Sequence, residues 1–418
     1  GKDKYKMTKN ADGNWELKIT PNIYAYYGVP ESTEVTQLCF VFNDGPGGNL
    51  EGKADGNADI FVDLAEAGLA AVITNTIPEI SSVGDVIDLK CQSTQEAKLQ
   101  LYINNQLVQE GEGTELVYNY TLSQGGDYHF QFVAQAGEEK STADAFTCVA
   151  SIPELEARPA GVDMGIYYDA NDPTKVTLCT YAASKLAAAK HVFVVGDFNN
   201  WQVSEEYQLK QDGNYFWIEL TGLTPQKEYA MQYVVVRSDG VVKRISDLFS
   251  EKVLHSDDQW EPMTVDPDLM PYPQEADGYA TVIQTGKPAF QWSDATLNFK
   301  RPNKNNLVIY ELWVYDHTQH RSIAGLMDRL QYFEDMGVNA IELMPITEFD
   351  GNENWGYSPN HYFALDKAYG TPEQMKTFVD ECHKRGIAVI LDMVFNHSTG
   401  LNPMNKLYPY GDDLKYNP

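Results

Sequence analysis

An acid, an amide and an imidazole stand close together in the run LDMVFNHS at 391–398: Asp392, Asn396 and His397. The apolar stretch Ile387 to Leu391 before them reads as a strand, so all three are delivered to its C-terminal end. Where β/α strands run parallel, that end is the one at which chemistry is done. A carboxylate, an amide and an imidazole placed there can orient one another and hydrogen-bond a ligand.

Three strands and two helices must position that run. Leu307–Trp313 and Val338–Met344 are apolar, strand-like runs of the same kind as Ile387–Leu391. Between the first two, Ser322 is placed to cap a helix with the apolar face Ile323, Leu326, Met327, Leu330 and Phe333, ended by Gly337. Before the third, Thr371-Pro372-Glu373-Gln374 supplies a cap, a proline at the first helical position and a capping-box glutamine. That helix buries Met375, Phe378, Val379 and Cys382 and stops at Gly386. Strands apolar on both faces and separated by helices predict a parallel sheet with right-handed crossovers.

Residues 1–305 follow another grammar, in which short alternating runs are punctuated by turn clusters such as Gly125-Gly126-Asp127. They divide into three β-sandwich modules, Ig-like or E-set in kind, at 1–69, 70–153 and 154–265. A connector at 266–305 leads into 306–418, and Phe290 and Trp292 make it an ordered one. The second module is expected to have strands near 86–91, 98–103, 115–121, 127–134 and 144–150, with Leu99, Leu101 and Ile103 on one buried face. Only the Ala-rich stretch 182–189 leans toward helix. The segment 7–17 resembles 209–220, each a strand, an Asp-Gly-Asn turn and an aromatic return strand. The first module is therefore read as the same kind of unit as the third.

Composition narrows the ligands. With 31 basic against 60 acidic residues the net charge is −29, which argues against nucleic acid, anionic membranes and acidic substrates. Five scattered cysteines without a CxxC are read as buried free thiols, in preference to a zinc site or a Cys91–Cys148 bridge. No stretch approaches the roughly 20 apolar residues of a membrane helix, and no secretory signal opens the sequence.

Four segments at the expected strand ends resemble the α-amylase family, glycoside hydrolase family 13. They are Ile309-Tyr310-Glu311-Leu312, the run from Gly337 to Pro345, Asn354-Trp355-Gly356-Tyr357-Ser358-Pro359, and the run from Asp392 to His397. The resemblance covers 306–418 and implies a TIM (β/α)8 barrel of which three of eight strands fall within the chain. Val192 to Trp201, VFVVGDFNNW, is similar to the family 48 carbohydrate-binding sandwich that precedes such barrels in branching, debranching and neopullulanase-like enzymes. The run Phe40 to Gly45 is similar to starch-binding modules.

By matched position, the resemblance implies that Tyr357 stacks on a sugar, His397 hydrogen-bonds its hydroxyls and Asp392 orients neighbours by accepting hydrogen bonds. Asn396 matches a position whose side-chain oxygen binds a structural calcium (Ca2+) in many members; calcium needs about six to eight oxygens. No organic cofactor is expected. Trp15, Trp201 and Trp217 are the candidates for a glucan platform, against the plainer expectation that they pack inside the sandwiches. Retaining hydrolysis needs two carboxyl groups about 5 Å apart. In relatives these follow strands four and five, so the nucleophile and the acid/base are expected beyond residue 418, and Glu342, Asp366 and Asp392 do not match them.

The expected function is α-glucan hydrolysis or transfer on starch, glycogen or maltooligosaccharides, with the chain as it stands lacking catalysis. An extracytoplasmic setting is expected because polymeric glucan enters cells poorly. A non-catalytic glucan-binding protein is the alternative, although three barrel strands alone would leave an apolar surface and a sheet edge exposed. An adhesive array of Ig-like domains would account for 1–265 but not for the barrel segments.

Overall fold

The computed structural model describes residues 68–182, 187–259, 269–317, 319–351 and 353–407, with shorter stretches at 7–9, 15–17, 19–20, 23–30, 35, 37–40, 42–43, 51–52 and 60–63. The chain divides into two compact units, Gly1–Ala150 and Ser151–Pro418. In the first, the sandwich expected for 1–69 falls largely outside the described residues. What is described there is three two-stranded antiparallel pairs and a short helix, Ile23–Tyr27. The repeated hairpin forms at both copies: Lys9 pairs with Trp15, and Asp212 with Tyr215.

The second module departs from the expected pattern. Strands placed at 86–91 and 98–103 are one strand, Val86–Ile103, paired along its length with Gln106–Thr121. The polar interval between them looks like a loop in sequence. Instead Ser93 pairs with Ala71 of the strand Ala71–Ile73, and the register slips beside Gly113, whose φ of +137° few other residues adopt. Hydrogen bonds thus link six strands into one sheet, where two separate Ig-like sheets were expected. Leu99, Leu101 and Ile103 are buried on one face, with Phe130 and Phe132 of the neighbouring strand Gly126–Ala136. Cys91, Cys148, Cys179 and Cys382 are buried free thiols, whereas Cys39 is exposed.

The third module is a sandwich of two antiparallel sheets around one core. Four strands, ordered Gly165–Tyr168, Val176–Tyr181, Tyr215–Leu220 and Lys210–Asp212, form one sheet. The other is ordered Ala189–Gly196, Glu228–Arg237, Ala280–Gln284 and Val253–Leu254, with Val242–Ile245 also on Glu228–Arg237. Ala280–Gln284 lies in the stretch read as connector, so the boundary at 265 requires correction. Its run of four buried residues completes the sheet by pairing with Glu228–Arg237 and Val253–Leu254. Phe290 and Trp292 pack edge to face beyond it. Of the Ala-rich stretch, 183–186 lie outside the described residues, and Ala189 begins a strand.

The β/α segment follows its sequence signals closely. β1 (Ile309–Leu312), β2 (Ala340–Leu343) and β3 (Ala388–Leu391) are parallel and adjacent in that order. After β1 comes a turn of helix, α1 (Val314–His317). The Ser322 hydroxyl caps α2 (Ile323–Met327) by accepting from Gly325 N–H, and α3 (Leu330–Asp335) continues the same apolar face after a break at Asp328 and Arg329. α4 (Pro372–Lys384) begins in the expected capping box, with Thr371 and Gln374 each bonded to the other's backbone. No helix among the described residues is long and apolar enough to cross a membrane.

Candidate functional site

Alternation along the three parallel strands sorts their side chains. Tyr310, Leu312, Ile341, Leu343 and Val389 join the core beneath the helices. Ile309, Glu311 and Glu342 therefore face the other way, and Glu311 stands opposite Glu342 in register. Asp392 follows β3 directly, its N–H donating to the Leu343 carbonyl at 3.0 Å.

The loop from β2 to α4 brings Tyr357 over this end. Its base is closed by Asp350 N–H to the Ser358 carbonyl, 3.0 Å. Gly356 has φ +88°, and a Cβ there would sit 2.2 Å from the Pro345 carbonyl oxygen, so only glycine lets the chain pass. Trp313 fastens the outer turn, its indole N–H donating to the Asn354 carbonyl (3.0 Å) and to the Tyr369 hydroxyl (2.8 Å).

Tyr357, Asp392 and His397 meet as a linked set. The Tyr357 hydroxyl donates to Asp392 Oδ2 at 2.6 Å, and His397 Nε2 lies 2.7 Å from the Tyr357 carbonyl. That carbonyl only accepts, so Nε2 carries a proton, and in the neutral ring Nδ1 is the acceptor. The hydrogen bond to Asp392 pushes the Tyr357 phenol up to about 12; partial burial and the charges of Asp392, Glu311 and Glu342 add to it. Tyr357 is 37% exposed, and Trp355 and Phe395 beside these loops are each 62% exposed. Sequence reasoning assigned those two no role, although Trp355 adjoins the Gly-Tyr pair and Phe395 lies inside the motif.

The other expected site residues are not part of this set. Asn396 sits in the same loop, exposed, and among the described residues no group of three or more His, Cys, Asp or Glu side chains is placed to hold a metal ion. One amide oxygen falls well short of a calcium shell, so the residues described do not on their own fit that ion. Trp201 and Trp217 are buried in the third module and present no open face; their indole N–H groups donate to Asp197 Oδ1 (2.9 Å) and to the Glu156 carbonyl (3.0 Å). The platform expectation is corrected for both, since each ring is buried and hydrogen-bonded within that one module. The side chain of Trp15 lies outside the described residues. A cavity of about 350 Å³ does open on this module, between the tilted rings of Phe198 and Tyr207 and the carboxylates of Glu206 and Glu219.

Residues 297–406 match the family profile of the alpha amylase catalytic domain, and residues 163–250 match carbohydrate-binding module 48, the isoamylase N-terminal domain. The β/α segment is thus similar to the α-amylase catalytic domain, and the third module to module 48. Malto-oligosyltrehalose trehalohydrolase of Saccharolobus solfataricus is 39% identical over 146 residues, 35% of this chain and 25% of that protein. The 1,4-alpha-glucan branching enzyme of Lactobacillus acidophilus is 30% identical over 222 residues, 50% of this chain and 31% of that one. The chain thus spans a quarter to a third of the length of these relatives. Among solved structures, a Group B Streptococcus pullulanase in complex with maltotetraose aligns with TM-score 0.44 and 20% identity, covering 78% of this chain and 46% of that one.

The α-amylase segment meets the module 48 sandwich along a buried polar seam. Lys367 Nζ lies 2.5 Å from Glu348 Oε1 and 3.2 Å from Asp258 Oδ1, with all three side chains buried. Burial alone would lower the Lys367 ammonium, but the carboxylates of Glu348, Asp258 and Asp366 outweigh it and hold it above the usual lysine range. Burial pushes the Glu348 carboxyl up, which opposes pairing. With a cation at 2.5 Å, the ion pair is the state the geometry supports. His361 is fully buried, its Nε2 2.8 Å from the Ser246 hydroxyl, and burial first, then Lys367 and His255, lowers it to about 3. It is a neutral tether.

Proposed function

We propose that this chain is part of an α-glucan-active enzyme of the α-amylase family, with Tyr357, Asp392 and His397 forming one of its sugar subsites. The observation that carries the reading is the linkage of the three groups, which holds Tyr357 at two points while the residue stays 37% exposed. An aromatic ring covers the apolar face of a pyranose, and polar groups around it take the hydroxyls. His397 Nδ1 is the acceptor for a sugar hydroxyl, and the free lone pairs of Asp392 are further acceptors. The acidic surroundings of Glu311 and Glu342 suit a neutral, donor-rich ligand and repel an anionic one.

Starch, glycogen and maltooligosaccharides are the proposed substrates, in an extracytoplasmic setting. The retaining nucleophile and acid/base are assigned to sequence outside this chain, so residues 1–418 are proposed to bind without cleaving. Any calcium that uses Asn396 would need most of its ligands from elsewhere. Glucan contact on module 48 is assigned to the cavity at Phe198 and Tyr207. Calorimetric titration with maltoheptaose tests the subsite: the chain should bind, and Tyr357→Ala should weaken binding on the order of tenfold or more without lowering the melting temperature. No binding by the unaltered chain, or equal binding by Tyr357→Ala, ends the assignment.

A further inference from the structure

The loops bearing Tyr357 and His397 share a third partner, which belongs to neither the strands nor the helices of the catalytic segment. Asn360 follows Tyr357 by three positions and is fully buried. Its backbone N–H donates to the Glu348 carbonyl at 2.8 Å, and its own carbonyl accepts from Asn402 Nδ2 at 2.9 Å. Its side-chain oxygen accepts from the Thr399 hydroxyl, two residues past His397, and its side-chain nitrogen donates to the Tyr279 hydroxyl at 2.9 Å. Thr399 N–H also donates to the Pro359 carbonyl at 3.1 Å, so the two loops are laced together beside Asn360.

Tyr279 is a residue of the sandwich. It immediately precedes the strand Ala280–Gln284, and its carbonyl accepts from Gln232 Nε2 (2.7 Å) in the adjoining strand Glu228–Arg237. The side chain of Gln232 is buried and also holds the Asp277 carbonyl at 2.9 Å, so the chain is fixed to the sheet at Asp277 and at Tyr279. The buried ring meets His361 edge-on at 4.8 Å and His255 at 4.5 Å, which leaves its hydroxyl little freedom to turn away from Asn360.

We infer that Asn360 and Tyr279 are positioning residues, through which the module 48 sandwich sets the separation of the Tyr357 and His397 loops. The sandwich then has a task that needs no sugar on its own surface. An amide is required at 360 because one side chain must accept from one loop and donate to the sandwich at once. Without the Tyr279 hydroxyl, a buried amide donor has no partner, and the loop must move to find one. The inference uses the proposed subsite only to give that geometry a purpose; the geometry itself can be read without ligand.

The test is histidine-labelled NMR of residues 1–418, which hold eight histidines. In the unaltered chain the His397 ring should show a protonated, hydrogen-bonded Nε2. Tyr279→Phe should lose that signature and move the His397 ring resonances, while His129, in the other compact unit, stays in place. Ser246→Ala, which removes a different hydrogen bond across the same seam, should shift His361 and leave His397 alone. Should Tyr279→Phe not fold, Thr399→Val cuts the line at its other end and should give the same His397 change. Unmoved His397 resonances in a folded Tyr279→Phe or Thr399→Val overturn the inference. So does an equal response to Ser246→Ala, which would mean general loosening of the seam. If His397 moves as expected but maltoheptaose fails to bind the unaltered chain, the positioning role stands and the glucan assignment falls.

Discussion

Two polar clusters lie within the second compact unit and are built on opposite terms. The seam cluster of Lys367, Glu348, Asp258 and His361 is buried, and its one cation is shared between two carboxylates. The site cluster of Tyr357, Asp392 and His397 is partly open, and its internal hydrogen bonds leave acceptors over. A buried ion pair yields little net stability, but breaking one strands a charge in a low-dielectric place. An open cluster can lose a member at small structural cost, because water replaces the partner. The difference separates groups that hold the loop from groups that can meet a ligand.

The sharpest way to break that distinction is to remove the seam's cation. Lys367→Met keeps the length of the side chain and removes the cation that Glu348 and Asp258 both face. A loss of about 3–5 kcal/mol in unfolding free energy is expected, measured by urea denaturation. A loss below about 1 kcal/mol would mean that the seam is wetter and looser than its burial implies.

A smaller effect is expected where the loop crosses behind the site. Gly356→Ala puts a Cβ against the Pro345 carbonyl and forces a residue with φ +88° into a strained backbone. About 1–3 kcal/mol of stability should be lost. Displacement of Tyr357 should also show as weakened maltoheptaose binding in calorimetry, a loss that Lys367→Met need not share once refolding conditions are found.

How much of this was legible beforehand differs between the regions for a physical reason. The segment from Leu307 to Leu391 was readable almost residue by residue, because helix caps are local signals: Ser322, Thr371 and Gln374 each act within one turn of their own position. The single predicted helix at 323–336 divided at Asp328 and Arg329, a break that the apolar spacing does not register. Meeting of Tyr357 with His397 was legible only through the family resemblance. The seam was invisible, since Asp258 and Ser246 are far in sequence from the Lys367 and His361 that they meet, and each is individually unremarkable. Strand Ala280–Gln284 was missed because a short apolar run between proline-rich stretches looks like a linker until its partner Glu228–Arg237 is in place. In the second module the polar residues from Gln92 to Glu96 read as a turn, when they belong to a strand that changes partners there.

The least disruptive change sharpens the comparison most. Asp392→Asn removes the anion next to the Tyr357 hydroxyl while keeping a side-chain oxygen that can accept from it. The phenol should fall from about 12 toward the ordinary tyrosine value near 10, followed by ultraviolet difference titration of the variant against the parent chain. The sign follows from the direction of the shift. A raised folded-state value means that the native state holds its proton longer than the unfolded chain. The linked stability is therefore whole below about pH 10 and is lost as pH climbs toward 12. In Asp392→Asn that alkaline decline should flatten, while the melting temperature at neutral pH stays close to that of the parent, because the pair is open to solvent. A large loss of stability at neutral pH would place Asp392 with the seam, as a group that holds the loop, and remove it from those free to meet a sugar.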